Sequence, residues 1–415
     1  MSDLCTKSCI ECGLVSQFRE LAPGSEASCP RCKHTLCSIG ASKGQGVMAY
    51  ASASLITLVM SLLFPYMSFS VQGISQQITL YQAVEMMNRL DNTAIAALLF
   101  LAVIFLPAYF LISVFWFYAL TERKSKRSNA PNRLAIFVLK TLSWVKPWLM
   151  VDVFLIGVLV SLIKISALAD VSMGISFWAF GIYAMLVVKT MSLVDFDWIW
   201  DQLIPLKPLN GTVTGSLFQK HDHLVCHVCG QVHLYDDNLT QCSRCHVHLH
   251  RFNPTKNLQI VWALLFTSII FYIPANLYPM MYTSAFGTSE GSTIIEGVII
   301  LWDMGSYPVA MVILLASVCI PMAKMVALAY LYWNAKRVEG LPPHEANRFL
   351  KIYRITEFIG RWSMIDIFVV AILVALVQLD GIMAIYPGPA ALSFASVVIF
   401  TMLSAMIFDS RIIWK

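Results

Sequence analysis

Residues 148–154 read WLMVDVF, and residues 362–368 read WSMIDIF. Each begins an apolar run with a tryptophan and sets a carboxylate, Asp152 or Asp366, just inside it. The two stretches lie 214 positions apart, and the same offset relates residues on either side of them. Pro65 maps to Pro279, Pro107 to Pro321, Asp195 to Asp409 and Trp200 to Trp414. Kinks and interface anchors account for the residue types. They do not account for one shared spacing over about 135 residues. The chain therefore reads as an internal duplication.

Each copy is strongly apolar. Of the 415 residues, 58% are hydrophobic and 13% charged, where a soluble chain carries about 25% charged residues. A bilayer-crossing helix needs about 20 apolar residues. Eight runs qualify: 47–69, 94–120, 148–169, 174–194, 258–283, 308–334, 362–381 and 388–409. The short links ADVSMG and DGIMAIYPGP read as hairpin turns between the last two spans of each copy. Four spans per copy is an even number, so the two copies share one orientation. This predicts a parallel repeat with a pseudo-symmetry axis along the membrane normal. No secretory leader is evident in the polar first 46 residues.

The net charge of +5 matters less than where the charges sit. Lys and Arg number five before the first span, seven in 121–147, five in 195–257, six in 335–361 and two from Ser410 onward. The alternate segments hold Arg89 in 70–93 and none in 284–307 or 382–387. The positive-inside rule places the basic side, with both termini, in the cytoplasm. The divisions expected are 1–46 and 201–257 for two polar modules, and 47–200 and 258–415 for two transmembrane repeats.

The polar modules carry chemistry. Cys9, Cys12, Cys29 and Cys32 form two C-x-x-C knuckles, and Cys226, Cys229, Cys242 and Cys245 form two more. Four thiolates so spaced enclose one tetrahedral ion, preferably zinc, with a rubredoxin-like iron as runner-up. Such a site is closed to substrate and folds a ribbon too small to fold alone. Reduced thiols agree with a cytoplasmic location. Cys5, Cys37, His34, His227 and His246 lie nearby and read as bystanders. The charge of these modules is mixed, without the basic stripe of a nucleic-acid binder.

Charged groups inside spans are costly and face a bundle interior or a water-filled cavity. Asp152 and Asp366 fall in the first turns of spans three and seven. Lys324 lies about ten residues from the cytoplasmic end of span six and breaks the repeat, its counterpart being Phe110. It is expected to pair with Asp152 or Asp366, with Ser317, Ser363 and Thr401 as polar neighbours. Lys164 and Lys189 read as snorkelling lysines, and Asp195 and Asp409 as interface residues. The outer segments ITLYQAVEMMNRL and STIIEGVIILWDMG are apolar enough for surface helices or for packing on the bundle. No phosphate loop, zincin motif or nucleophile elbow occurs, so nothing in the residues supports an enzyme.

Two C-x-x-C modules each ahead of four spans, with FPYMSFSVQG…ITL and WLMVDVFLIGVLVS in the first copy, resemble the paraquat-inducible protein A family of Gram-negative inner-membrane proteins. The resemblance spans essentially the whole chain. It implies an inner-membrane component that works with a periplasmic MCE-domain tunnel, moves lipids between inner and outer membranes and supports envelope integrity. It also implies that Asp152 and Lys324 belong to a functional polar core, with Asp366 as the repeat equivalent of Asp152. A non-transporting anchor for the tunnel and a membrane redox or metal sensor remain open as alternatives.

Overall fold

The computed structural model describes residues 4–19, 24–38, 44–71, 74–90, 92–124, 133–166, 170–206, 215, 223–234, 239–249, 253–285, 288–335, 343–376, 378–379 and 383–414. The first polar module holds the hairpins β1 (Leu4–Ser8) with β2 (Val15–Arg19) and β3 (Glu26–Ser28) with β4 (Thr35–Ser38). The first repeat runs α1 (Gly44–Leu63), β5 (Met67–Val71), β6 (Ile74–Ile78), α2 (Leu80–Arg89), α3 (Thr93–Leu99) and α4 (Leu106–Lys124). It continues through α5 (Arg133–Val145), α6 (Val151–Ser166), β7 (Asp170–Met173), α7 (Ile175–Leu193) and α8 (Phe196–Leu203). The second module contributes β8 (His223–Val225) and β9 (Val232–Leu234). The second repeat repeats the order: α9 (Pro254–Leu277), β10 (Met281–Ala285), β11 (Thr288–Ser292), α10 (Ile294–Asp303), α11 (Tyr307–Leu314) and α12 (Ile320–Ala335). It ends with α13 (Pro343–Trp362), α14 (Ile365–Leu376), β12 (Gln378–Leu379), β13 (Met383–Pro387), α15 (Pro389–Ile407) and a 3-10 turn over Ser410–Trp414.

The duplication extends to local irregularities. Between α3 and α4 lies a π-helical stretch, Phe100–Phe105, and between α11 and α12 another, Leu315–Cys319. Each precedes a proline, Pro107 or Pro321, whose missing N–H and bulky ring disturb the register of the turn before it. Both α2 and α10 begin with a capping box, Thr79 with Gln82 and Thr293 with Glu296. Each box satisfies two otherwise unpaired backbone donors where the chain turns from strand to helix.

Eight membrane-length apolar helices occur among the described residues. This is a multi-pass membrane protein. Four of its spans differ from the expected bounds by more than a few residues. The first and fifth stop at Leu63 and Leu277, because β5 and β10 begin within the apolar runs. The third and seventh extend over 133–163 and 344–375 and start well before their tryptophans. Their entry helices, α5 and α13, are amphipathic, and basic residues in them concealed helices that the apolar count missed. Each meets its span at a break. In the first repeat a 3-10 turn at Lys146–Trp148 contains Pro147. In the second, Met364 N–H bonds Arg361 O at 3.3 Å although Arg361 stands where Pro147 does. The break therefore does not depend on the proline.

The described parts of the expected hairpin links hold strands, β7 and β13. On the face away from the cysteine modules, β7 joins the hairpin as β6-β5-β7, and the second repeat forms β11-β10-β13-β12, all pairs antiparallel. Ser68 and Ser172 bond across the first sheet with oxygens 2.5 Å apart. Gly174 and Gly388 follow the returning strands at a crowded point. A Cβ on Gly174 would lie 2.0 Å from Pro65 O, and one on Gly388 2.1 Å from Pro279 O. Only glycine lets the helix start so near that carbonyl.

The repeats meet along α6 and α14. The rings of Phe154 and Phe368 cross edge to face at 5.4 Å. Ser161 Oγ donates to Val369 O at 3.4 Å. Gly157 lies close enough to Phe368 Cβ that its own Cβ would approach to 3.1 Å. Equivalent helices packed on each other are what a two-fold axis along the bundle requires. Of the outer segments, α2 buries Leu80 and Met87 and packs on α14. By contrast α10 leaves Ile295, Ile299, Ile300 and Trp302 exposed.

Candidate functional site

The two cysteine clusters are complete and buried. Sulfur separations are 3.4 Å for Cys9–Cys32 and 3.5 Å for Cys12–Cys29. In the second cluster they are 3.5 Å for Cys226–Cys245 and 3.6 Å for Cys229–Cys242. All ligand atoms within a cluster lie within 4.8 Å of one another. A tetrahedral ion with bonds of about 2.3 Å needs sulfur edges of about 3.8 Å, so both clusters fit a metal ion. The knuckle backbone explains the arrangement. Gly13, Lys33, Gly230 and His246 stand four residues after the first cysteine of each knuckle with positive φ. Each donates its N–H to that cysteine's carbonyl, at 2.9–3.0 Å.

The nearby residues have other duties. His34 Nδ1 lies 3.2 Å from Glu11 Oε1. Burial alone would raise the Glu11 carboxyl, but hydrogen bonds from His34 and Arg354 prevail and hold it down at about 2. Cys37 is half-buried outside the cluster, and the Cys5 side chain lies outside the described residues. The unforeseen neighbour is His233, whose Nε2 lies 3.3 Å from Cys242 Sγ. Its sequence neighbours offered no signal, because it sits outside both knuckles.

Docking of the modules departs from chain order. The second module sits on the first repeat, where Arg244 bonds Ile204 O at 2.7 Å, Asp201 at 2.5 Å and Cys229 O at 2.9 Å. The first module sits mainly on the second repeat. Arg354 of α13 pairs with Glu11, and Ser410 Oγ donates to Glu11 O at 3.2 Å. Lys7 also reaches Asp197 of α8 at 2.9 Å, so this module touches both repeats.

Within the membrane region, Lys324 is buried and its ammonium donates to Thr401 Oγ1 at 3.0 Å. The expected pairing is not seen: no ion pair among the described residues joins Lys324 to Asp152 or Asp366. The physical reason is the packing. The helices carrying the aspartates, α6 and α14, face one another, whereas Lys324 on α12 faces α15. Asp152 and Asp366 do occupy the first turns of their helices, Asp366 buried and Asp152 partly exposed. Ser317 is buried in the π-helical stretch, and Ser363 at the break between α13 and α14. Asp195 caps α8, accepting from Trp198 N–H at 3.1 Å, and Asp409 accepts from Arg411. Lys189 is exposed, and the Lys164 side chain lies outside the described residues.

A cavity of about 350 Å³ opens beside Lys324 between the repeats. Lys146, Arg354, Glu357 and Arg361 supply its other charged walls, and Met191, Phe358, Met402 and Met406 its apolar ones. Gly360 makes room for the lysine, since a Cβ there would lie 3.1 Å from Nζ. Sequence reasoning did not assemble this cavity, yet a signal existed. At the 214-residue offset, Lys324 replaces Phe110, Thr401 replaces Val187, Arg361 replaces Pro147 and Gly360 replaces Lys146. These four exchanges of polar for apolar character, or of large for small, converge on one place.

The fold and these features define a duplicated, multi-pass membrane protein with paired four-cysteine modules. The chain belongs to the paraquat-inducible protein A family, whose profile matches residues 45–204 and 258–415. It is 39% identical over 412 residues to an intermembrane transport protein of Escherichia coli strain K12, covering 98% of this chain and 94% of that one. It is 28% identical over 410 residues to the lipophilic envelope-spanning tunnel protein A of the same strain, covering 98% and 90%. A probable intermembrane transport protein of Haemophilus influenzae is 28% identical over 416 residues, covering 98% and 95%. No solved structure matches the chain.

Proposed function

We propose that the chain is the inner-membrane component of an MCE-type lipid transport system, moving lipids between inner and outer membranes and so supporting envelope integrity. Relatives named for intermembrane transport and for an envelope-spanning tunnel support this reading over nearly their full lengths. The distribution of Lys and Arg supports a cytoplasmic side that carries both termini and both cysteine modules. The two sheets then face the periplasm, where an MCE-domain partner would dock. Each four-cysteine cluster would hold one zinc ion, which ties the hairpins together and leaves no coordination position open for chemistry. No step of catalysis is assigned to any residue.

The observation that carries the transport reading is the buried Lys324–Thr401 pair beside a cavity between the repeats. Membrane proteins keep such groups where a substrate or ion passes. Asp152, Asp366, Ser317 and Ser363 do not line this cavity, and their part in transport rests on the family resemblance and the sequence reading. The test is complementation of envelope integrity by Lys324→Met and Thr401→Val in cells lacking the native gene. Both variants should insert at normal levels and fail to restore the barrier. Full restoration by both would remove the pair from the mechanism and favour an anchor that only holds the tunnel.

A further inference from the structure

The cavity beside Lys324 has a surplus of positive charge. Lys146, Lys324, Arg354 and Arg361 line it against one carboxylate, Glu357. Arg354 is already engaged by Glu11, and Asp197 of α8 acts on Lys146 from outside the lining. Glu357 is thus the one carboxylate among the lining residues, and none of the ion pairs described reaches Lys324. Lys324 matters most. Its ammonium has three donors, and Thr401 is its one hydrogen-bond partner among the described residues. Its side chain is only 3% exposed. A buried ammonium without a counter-charge is costly, and an anion entering the cavity would offset that cost.

The position and walls specify the anion further. Lys146 and Arg361 stand where the entry helices α5 and α13 break into the spans, Lys146 exposed and Arg361 half-buried at the mouth of the cavity in which Lys324 is buried. Arg361 can fork two parallel bonds to one phosphate, as arginines do. Beyond the charges lie Met191, Met402, Met406 and Phe358. Flexible thioethers of this kind pack against irregular apolar chains. A volume of about 350 Å³ lies within the usual range for small-ligand pockets.

We propose that this cavity binds the phosphate of an anionic lipid headgroup drawn from the leaflet on the cysteine-module side, with Lys324, Lys146 and Arg361 as its ligands and the methionines against its chains. The proposal rests on the lipid-transport reading above and names the headgroup chemistry of that site. Because Lys324 has Phe110 as its repeat counterpart, the molecule holds one such site rather than two.

The test is native mass spectrometry of the purified full chain with phosphatidylglycerol or phosphatidylethanolamine of matched acyl chains, and with inorganic phosphate. The parent should retain phosphatidylglycerol preferentially. Arg361→Gln and Lys146→Gln should each weaken that retention on the order of tenfold, as loss of a charge-assisted hydrogen bond does. These two positions lie at the rim, so they carry the test even where Lys324→Met fails to insert. Equal retention of both lipids, or unchanged preference in both rim variants, would overturn the site. Saturable binding of inorganic phosphate with the same residue dependence and no lipid preference would overturn the lipid assignment. Binding is read without transport. Selective binding in a chain that proves unable to move lipid would therefore fault the transport reading and support the site.

Discussion

The guanidinium of Arg31 lies 4.7 Å above the ring of Trp414, almost the last residue of the chain. Its repeat equivalent, Arg244, lies 5.8 Å from the ring of Trp200. The two contacts match, but the chain crosses between them. The second module follows the first repeat and folds back on it, whereas the first module begins the chain and sits on its end. The packing unit is thus four spans capped by the module after them, with the N-terminal module closing the circle. Lys7 to Asp197 then ties that closure to the first repeat.

Removing the closure should loosen one module alone. Trp414 is buried, and its replacement by alanine should cost about 3–5 kcal/mol of local packing. Hydrogen exchange should quicken over residues 4–38 and stay unchanged over 223–249. Equal quickening in both modules would contradict the crossed docking.

Metal content follows from the two separate clusters. Elemental analysis of the purified chain should find two zinc ions, and Cys12→Ser or Cys242→Ser should each leave one. Prolonged chelation should unfold the modules, because a closed four-sulfur site supplies folding energy directly. Loss of both ions from either single variant would show that the clusters are not independent.

Gly174 and Gly388 should resist substitution. Each alanine variant places a methyl about 2 Å from a proline carbonyl, and the forced shift should cost about 1–3 kcal/mol by analogy with overpacked cores. Gly181 on α7 is the control, since a Cβ there meets nothing within 4 Å. Gly181→Ala should be neutral or stabilising, by up to about 1 kcal/mol from helix propensity. Thermal melts of the three purified variants decide the order.

Spans, repeat and cysteine ligands were legible in the sequence because each is written locally. Twenty apolar residues, a fixed 214-residue offset and C-x-x-C spacing need no knowledge of neighbours. What was not legible depends on distant partners. The strand at Met383–Pro387 read as a turn because its ladder partner, β10, lies about a hundred residues away. The crossed modules leave no sequence mark except matched Arg–Trp pairs. Lys324 stood out in the sequence by its depth, and Thr401, one of the polar neighbours expected for it, is the residue it bonds. Charge complementarity pointed to the aspartates instead, because depth along a span says nothing of which face turns toward which helix.

The central claim is that the asymmetry at Lys324 and Thr401 serves transport rather than stability. It is tested most directly by giving the second repeat the first repeat's residues, as the double variant Lys324→Phe, Thr401→Val. Replacing a buried charge and its partner by apolar groups is often neutral or stabilising by about 1–4 kcal/mol, so the chain should fold, insert and keep both metal ions. The measurement is lipid transfer from proteoliposomes, with the periplasmic partner present, to acceptor vesicles. The account predicts a folded double variant with no transfer above the protein-free rate; transfer at the parental rate would contradict it.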